Sequence, residues 1–210
     1  MAMRLGVLIS GSGTTLQNLI DYHKQGKLKA DIVTVVSSRE GVPGLEKAAQ
    51  AGLPTTVIPR KGMKLEAFAQ GIYQHLREQS VDLVCLAGFL DFLPIPDDFT
   101  HRVINIHPSL IPAFSGKGYY GKHVHEAALK TGVKVSGCTV HFADNEFDHG
   151  PIIAQTTVDV QDDDTAESLA QRVFQAECQA FPAAINLLAE NRIQVKNHRV
   201  YTRLNNGLSN

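Results

Sequence analysis

Tryptophan is absent from the 210 residues, and cysteine and methionine occur three times each. The cysteines, Cys85, Cys138 and Cys178, are odd in number and far apart. That spacing argues against a disulfide framework, and without any Cys-x-x-Cys or Cys/His ligand pattern it offers no metal site either. Such usage fits a reducing cytoplasm. Charge of one sign is also lacking: 20 Lys and Arg stand against 21 Asp and Glu, a formal net charge of -1. No whole-chain field therefore draws in nucleic acid or an acidic membrane, and an anionic substrate needs a local site. No apolar run approaches the roughly 18 residues that cross a bilayer, and the N-terminus shows no signal-peptide pattern. The expectation is a cytoplasmic protein acting on small molecules, a monomer or homodimer, with no nucleic-acid or membrane partner.

What is present is apolar content of 43%, enough for one sizeable core, arranged in alternating short and long runs. Leu5–Ile9, Ile32–Val36, Thr55–Ile58, Leu83–Ala87 and Val103–Ile106 read as buried strands. Between them Leu16, Leu19 and Ile20, the segment from Pro43 to Gln50, and Leu65, Phe68, Ile72 and Leu76 recur at helical spacing. Thr14 or Thr15 is the expected cap of the first helix. Such alternation predicts an α/β fold with a mostly parallel, doubly wound sheet and helices on both faces, which binds ligands beyond the carboxyl ends of its strands. After residue 107 the pattern changes. Residues 108–122 carry Pro108, Pro112, Gly116, Gly118 and Gly121 and read as one long loop. Val133–Phe142 and Ile152–Val160 look like an antiparallel C-terminal part, followed by a helix led by Asp162-Asp163-Asp164-Thr165, which Pro182 is expected to kink or split. One domain, 1–210, accounts for this, with a Rossmann-like phosphate-binding half over 1–100 and a second half over 101–210.

Three segments carry chemistry. Ser10-Gly11-Ser12-Gly13-Thr14-Thr15-Leu16 joins strand to helix, where free backbone N–H groups and the helix dipole favour an anion. Leu16 stands where a dinucleotide fingerprint has its third glycine, and no Walker lysine follows. A tight turn without any ligand is the plainer account of this motif alone. Asn105-Ile106-His107-Pro108-Ser109 places Asn105 and His107 on one side of a strand end, an amide beside an imidazole, suited to stabilising an oxyanion while moving a proton. Lone strand-end histidines are more often structural. Thr139 and His141 share a face, and Asp148 lies in a turn signalled by Gly150-Pro151. Turn aspartates commonly just bond their own backbone; one beside His107 would raise the imidazole pKa and orient the ring.

Together the glycine loop, Leu86-Ala87-Gly88-Phe89, the Asn-Ile-His-Pro-Ser-Leu-x-Pro string and Asp148-x-Gly-Pro resemble the phosphoribosylglycinamide formyltransferases, folate-dependent enzymes of purine biosynthesis. The resemblance covers nearly the whole chain. It implies transfer of a formyl group from 10-formyltetrahydrofolate, as co-substrate and without a metal, to the amine of glycinamide ribonucleotide. It gives Asn105, His107 and Asp148 catalytic roles and puts the substrate phosphate on Gly13, Thr14 and Thr15, with Glu177 reaching the ribose or amine. Leu90, Asp91, Phe92 and Leu93 would line the folate pocket, with Asn105 and the stretch from Val140 to Asp148 on its other side. Thr15, Asp91, Leu65 and Cys178 replace residues more usual in the family, namely Asn, a basic residue, Arg and His. Lys61 or Lys64 stands near enough in sequence to serve the folate tail in place of the Arg.

Rival readings are a nicotinamide oxidoreductase using Glu40 for the ribose, which Leu16 disfavours, and a binding module without turnover. His23, His75, His101 and His198 read as surface or satisfied residues. His123 and His125 border the long loop, as substrate contacts or as a helix start.

Overall fold

A computed structural model describes residues 2–203; Met1 and residues 204–210 of the expected 1–210 domain lie outside the described residues. The strands β1 (Met3–Ile9), β2 (Ala30–Ser37), β3 (Thr55–Val57), β4 (Leu83–Leu86), β5 (Val103–His107), β6 (Val135–Phe142) and β7 (Ile152–Asp159) form one sheet in the order β3-β2-β1-β4-β5-β6-β7. The first five are parallel; β6 runs antiparallel to β5, and β7 to β6. The helices are α1 (Thr14–Lys24), α2 (Pro43–Gln50), α3 (Leu65–Glu78), α4 (Lys122–Thr131) and α5 (Ala166–Ala189).

Two cores explain why the central strands are apolar on both faces. On one face α1, α2, α4 and α5 bury Leu16, Leu19, Ala48, Ala128, Leu169, Val173 and Phe181 against β1, β4 and β5. On the other, α3 buries Phe68, Ile72, Tyr73 and Leu76 against Leu8, Val36, Val84 and Val103. After β3 the chain returns across the sheet to β4, which pairs with β1, so the order reverses there and a crevice opens beyond the carboxyl ends of both strands. Ser10 and Gly88 close its floor through an N–H donated to a carbonyl at 3.1 Å.

Several expectations change in detail. The cap of α1 is Gly13, in the left-handed region at φ 67°, with no side-chain bond; Thr14 is already the first helical residue. A Cβ on Gly13 would stand 2.5 Å from Gly44 Cα, so only glycine lets α1 and α2 begin this close together. Helix α5 runs unbroken for 24 residues through Pro182. Proline cannot donate to the carbonyl of Cys178, four residues back, but Asn18 Nδ2 takes that carbonyl at 2.9 Å. A side chain of α1 thus replaces the missing rung. Thr165 caps α5 reciprocally with Ser168, one residue after the acidic run.

The segment 108–121 precedes α4 and is a looped structure fastened at named points. Thr139 Oγ1 donates to Ser109 O (2.7 Å) and accepts from Ile111 N (3.1 Å), while Ser109 Oγ donates to Ala113 O (2.6 Å). Beyond α5, a hairpin of β8 (Ile193–Lys196) and β9 (Arg199–Thr202) forms a second small sheet. Its turn, Asn197 and His198, is left-handed at both residues. His198 Nε2 donates to the carbonyl of His149 at 3.1 Å, and β9 lies beside β7. Among the described residues no helix is long and apolar enough to cross a membrane.

Candidate active site

The carboxyl end of β5 delivers Asn105 and His107, and antiparallel register sets His141 of β6 directly across from Asn105. Where β6 turns back to β7, Asp148 adopts φ 52°, a left-handed backbone that costs a non-glycine residue about 1–3 kcal/mol unless its surroundings hold it. Gly150 makes the turn possible: a Cβ there would sit 1.9 Å from the Phe142 carbonyl.

The strained turn aims the carboxylate at four groups. Asp148 Oδ2 accepts from Gly116 N at 2.9 Å and lies 3.4 Å from His107 Nδ1. Oδ1 lies 3.4 Å from Asn105 Nδ2 and 3.7 Å from His141 Nε2. His107 and His141 are nearly inaccessible to solvent. Sequence-distant residues 105, 107 and 148 therefore meet in one cluster, and His141 joins them.

Partner chemistry fixes the tautomers, since a carbonyl only accepts. His107 Nε2 donates to Phe114 O at 2.9 Å, which leaves Nδ1 facing Asp148 as the site that gains or loses a proton. His141 Nδ1 donates to Phe142 O at 2.9 Å, so in the neutral ring Nε2 accepts from Asn105 Nδ2 at 3.2 Å.

Electrostatics corrects one expectation. Asp148 does pull the His107 pKa upward, as does the Phe114 carbonyl, but burial of the ring is the larger effect and the net shift is downward. The downward shift favours the neutral ring in the free protein. Burial likewise pushes the Asp148 carboxyl up, yet His141, His107 and the Gly116 N–H together outweigh it and hold the group below its ordinary value.

A cavity of about 510 Å³ opens over this cluster. Thr14, Thr15 and Glu177 line one end, with Ala166, Ala170 and Phe174 along the same side of α5. The first turn of α1 carries no acidic residue and no side-chain cap, so its N–H groups remain free for an anion. Gly13 lies beneath this turn, buried against Gly44. Burial pushes the Glu177 carboxyl up to about 8. The other wall holds Leu90, Asp91, Phe92 and Leu93, faced by Ala143, Asp144 and Phe147; Phe92 and Phe147 lie with ring centroids 4.8 Å apart. Two predicted site residues do not line the cavity: Gly13, beneath the turn, and Val140, which is fully buried in the core. Being one residue from His141 on a strand, it points to the opposite face. Lys61, Lys64 and Leu65 do not line it either.

Residue-by-residue reading of the sequence passes over His141 and leaves His125 undecided. His125 is buried, lines the cavity, and its Nδ1 has no hydrogen-bond partner among the described residues. The Thr139/His141 alternation was the available signal for the first; its pairing with Asn105 depends on strand register. Among the described residues no group of three or more His, Cys, Asp or Glu is placed to hold a metal ion.

A sequence model of the family described as formyl transferase matches residues 3–185. The trifunctional purine biosynthetic protein adenosine-3 of Gallus gallus is 46% identical over 197 residues, 92% of this chain, and the chain spans only 19% of that longer protein. The crystal structure of glycinamide ribonucleotide transformylase 1 from Symbiobacterium toebii superposes with a TM-score of 0.90 at 40% identity, covering 96% of this chain and 94% of that one. That of phosphoribosylglycinamide formyltransferase from Anaplasma phagocytophilum gives 0.86 at 39% identity, covering 99% and 98%. With matches across nearly the full length of both solved structures as well as to the family, the chain belongs to the formyl transferases, and among them to the phosphoribosylglycinamide formyltransferases.

Proposed function

We propose that the protein moves a formyl group from 10-formyltetrahydrofolate to the amine of glycinamide ribonucleotide, with Asn105, His107 and Asp148 as its catalytic residues. The observation that carries this reading is the convergence of those three side chains on one cavity, with a free helix N-terminus at one end and an apolar, partly aromatic wall at the other. Phosphate would rest on Gly13, Thr14 and Thr15, with Glu177 beside the ribose or amine; the flat pterin fits against Leu90, Asp91, Phe92 and Leu93, facing Phe147. The folate supplies an activated acyl group, and the protein's tasks are to stabilise an oxyanion and to relocate one proton.

Asn105 is suited to the first task. Its 3.4 Å contact with Asp148 is long for a hydrogen bond and is readily exchanged for a shorter one to a developing oxyanion, while His141 keeps the amide oriented. Asp148 accepts the proton released by the attacking amine, directly or through water, and neutral His107 shares it at Nδ1. When the tetrahedral intermediate collapses, the bond from the formyl carbon to the folate nitrogen breaks and that proton passes to the departing nitrogen, giving tetrahydrofolate. The imidazolium arises as charge develops on the substrate and is not already present in the resting site. Placed beside Asp148 and near the same oxygen, it offsets that charge when it matters. The free cysteines fit a reducing cytoplasm as the place of action.

The decisive measurement is tetrahydrofolate release with glycinamide ribonucleotide, methionyl-tRNA or water as acceptor. Turnover only with the ribonucleotide supports the proposal; turnover with water alone would make the protein a hydrolase.

A further inference from the structure

The proposed substrates are both anions, yet the cavity is poor in cations. Among its lining residues Lys122 is the single lysine or arginine, while Asp91, Asp144, Glu146, Asp148, Glu167 and Glu177 are acidic. Burial keeps Glu177 largely neutral at pH 7, and the others present negative charge to any incoming phosphate.

Lys122 is the first residue of α4, so its backbone is fixed and only its side chain is free to move. Its ammonium lies against Glu167 Oε1 at 2.5 Å and Glu126 Oε1 at 3.6 Å, all three groups well exposed. Exposed ion pairs contribute little net stability, so the lysine is easily drawn to a better partner, and a phosphate dianion is one.

Geometry also says which anion it meets. Glu167 begins the cavity-lining stripe of α5 that continues through Ala170 and Phe174 to Glu177. Helix α1 runs alongside α5 in the same direction, since Asn18 contacts Cys178 while Lys27 and Lys29 contact Asn186. Thr14, one turn before Asn18, therefore lies level with about Phe174. From Glu167 to Phe174 the helical rise is about 10 Å, and Lys122 carries its ammonium on a flexible four-carbon stem beside that stripe.

We propose that Lys122 exchanges Glu167 for the phosphate of the bound ribonucleotide, acting as a substrate-binding residue that Glu167 holds in reserve. The assignment rests on the function proposed above for the phosphate end of the cavity.

The test is calorimetric titration of ribose 5-phosphate, which carries the phosphate but no reactive amine, into the wild type and three variants. Lys122→Gln should bind about tenfold more weakly, the size expected for losing one charge-assisted contact, and Lys122→Arg should restore most of the affinity. Glu167→Gln should bind more tightly than the wild type, because it removes the competitor. A pair that only fastens α4 to α5 predicts the same direction of change for both partners. Equal weakening in Lys122→Gln and Glu167→Gln, unchanged affinity in Lys122→Gln, or no ribose 5-phosphate binding by the wild type would each overturn the assignment. Weakened tetrahydrofolate binding in place of weakened phosphate binding would overturn it too. A wild type that shows the expected titrations but forms no formylated ribonucleotide would leave Lys122 in place and sink the proposed reaction instead.

Discussion

Asp148 shows how several unfavourable choices at one residue combine into function. Its backbone is left-handed, its carboxylate is mostly enclosed, and two imidazoles crowd it. The enclosed carboxylate is tolerated because Gly116 N and Asn105 Nδ2 both donate to it. Replacing it with Asn keeps size and removes the proton acceptor. Asp148→Asn should lose about 100- to 1000-fold in turnover, comparable to deleting one oxyanion-hole donor, with an unchanged melting temperature; near wild-type tetrahydrofolate release from a folded variant would refute its role. His107 predicts a pH profile. Its folded pKa lies below the ordinary 6.5 because burial prevails over Asp148, and it must be neutral to take up a proton. The acid limb of kcat/KM, which reports the free protein, should therefore fall below pH 6.5, and a limb centred well above it would contradict the neutral resting state. Glu177 predicts a pH dependence of stability. The folded state keeps its proton to about 8, whereas the unfolded chain releases it near the ordinary glutamate value of 4.5. The stability contributed by the protonated group is thus complete below about 4.5 and is lost as pH rises through 8. Glu177→Gln, neutral throughout, should melt higher than the wild type at pH 8.5, with the gap closing towards pH 5.

At the scale of elements, α5 shows what periodicity could and could not reveal. Its apolar spacing and acidic lead-in were legible, but Pro182 read as a break because the compensating amide belongs to α1, more than 150 residues earlier. Deleting that amide should expose the device. Asn18→Leu leaves the Cys178 carbonyl without a partner, at a cost of about 1–3 kcal/mol. In a Pro182→Ala background the new backbone N–H can take the same carbonyl, so the cost should shrink; additive effects in a denaturant double-mutant cycle would show that the two residues are independent. The parallel half of the sheet was likewise legible, because doubly covered strands are apolar throughout and β1 to β5 fell within two residues of their expected bounds. The same holds for Asn105, His107 and Asp148 as types and positions. What no local pattern contains is register: the pairing of Asn105 with His141 follows from how β6 aligns against β5. The capping expectation failed at Thr14 because Gly13 supplies a left-handed turn that no threonine adopts cheaply. The β8–β9 hairpin had a signal in the alternation around Asn197 that was not assigned to strands.

For the molecule as a whole, the two halves expected from sequence are parts of one body. Helix α5, from the second half, packs on α1 and β2 of the first as well as on β6 and β7, and Lys29 and Asn186 lock their far ends together. The candidate phosphate end of the cavity is built from both, Thr14 and Thr15 from one and Glu177 from the other. The hairpin that follows α5 has a bearing on solubility as well as on the site. Among the described residues strand β7 pairs on one side only, and an edge of this kind offers backbone groups to any other extended chain. Because β9 lies beside β7 while His198 grips the residue after Asp148, the hairpin guards a self-association hazard as well as steadying the turn that carries Asp148. A chain ending at Glu190 should retain the seven-stranded sheet yet form concentration-dependent aggregates by light scattering; a monodisperse truncated protein at high concentration would show that β7 needs no guard. Shortening the protein for display or fusion is thus limited by colloidal behaviour before it is limited by folding.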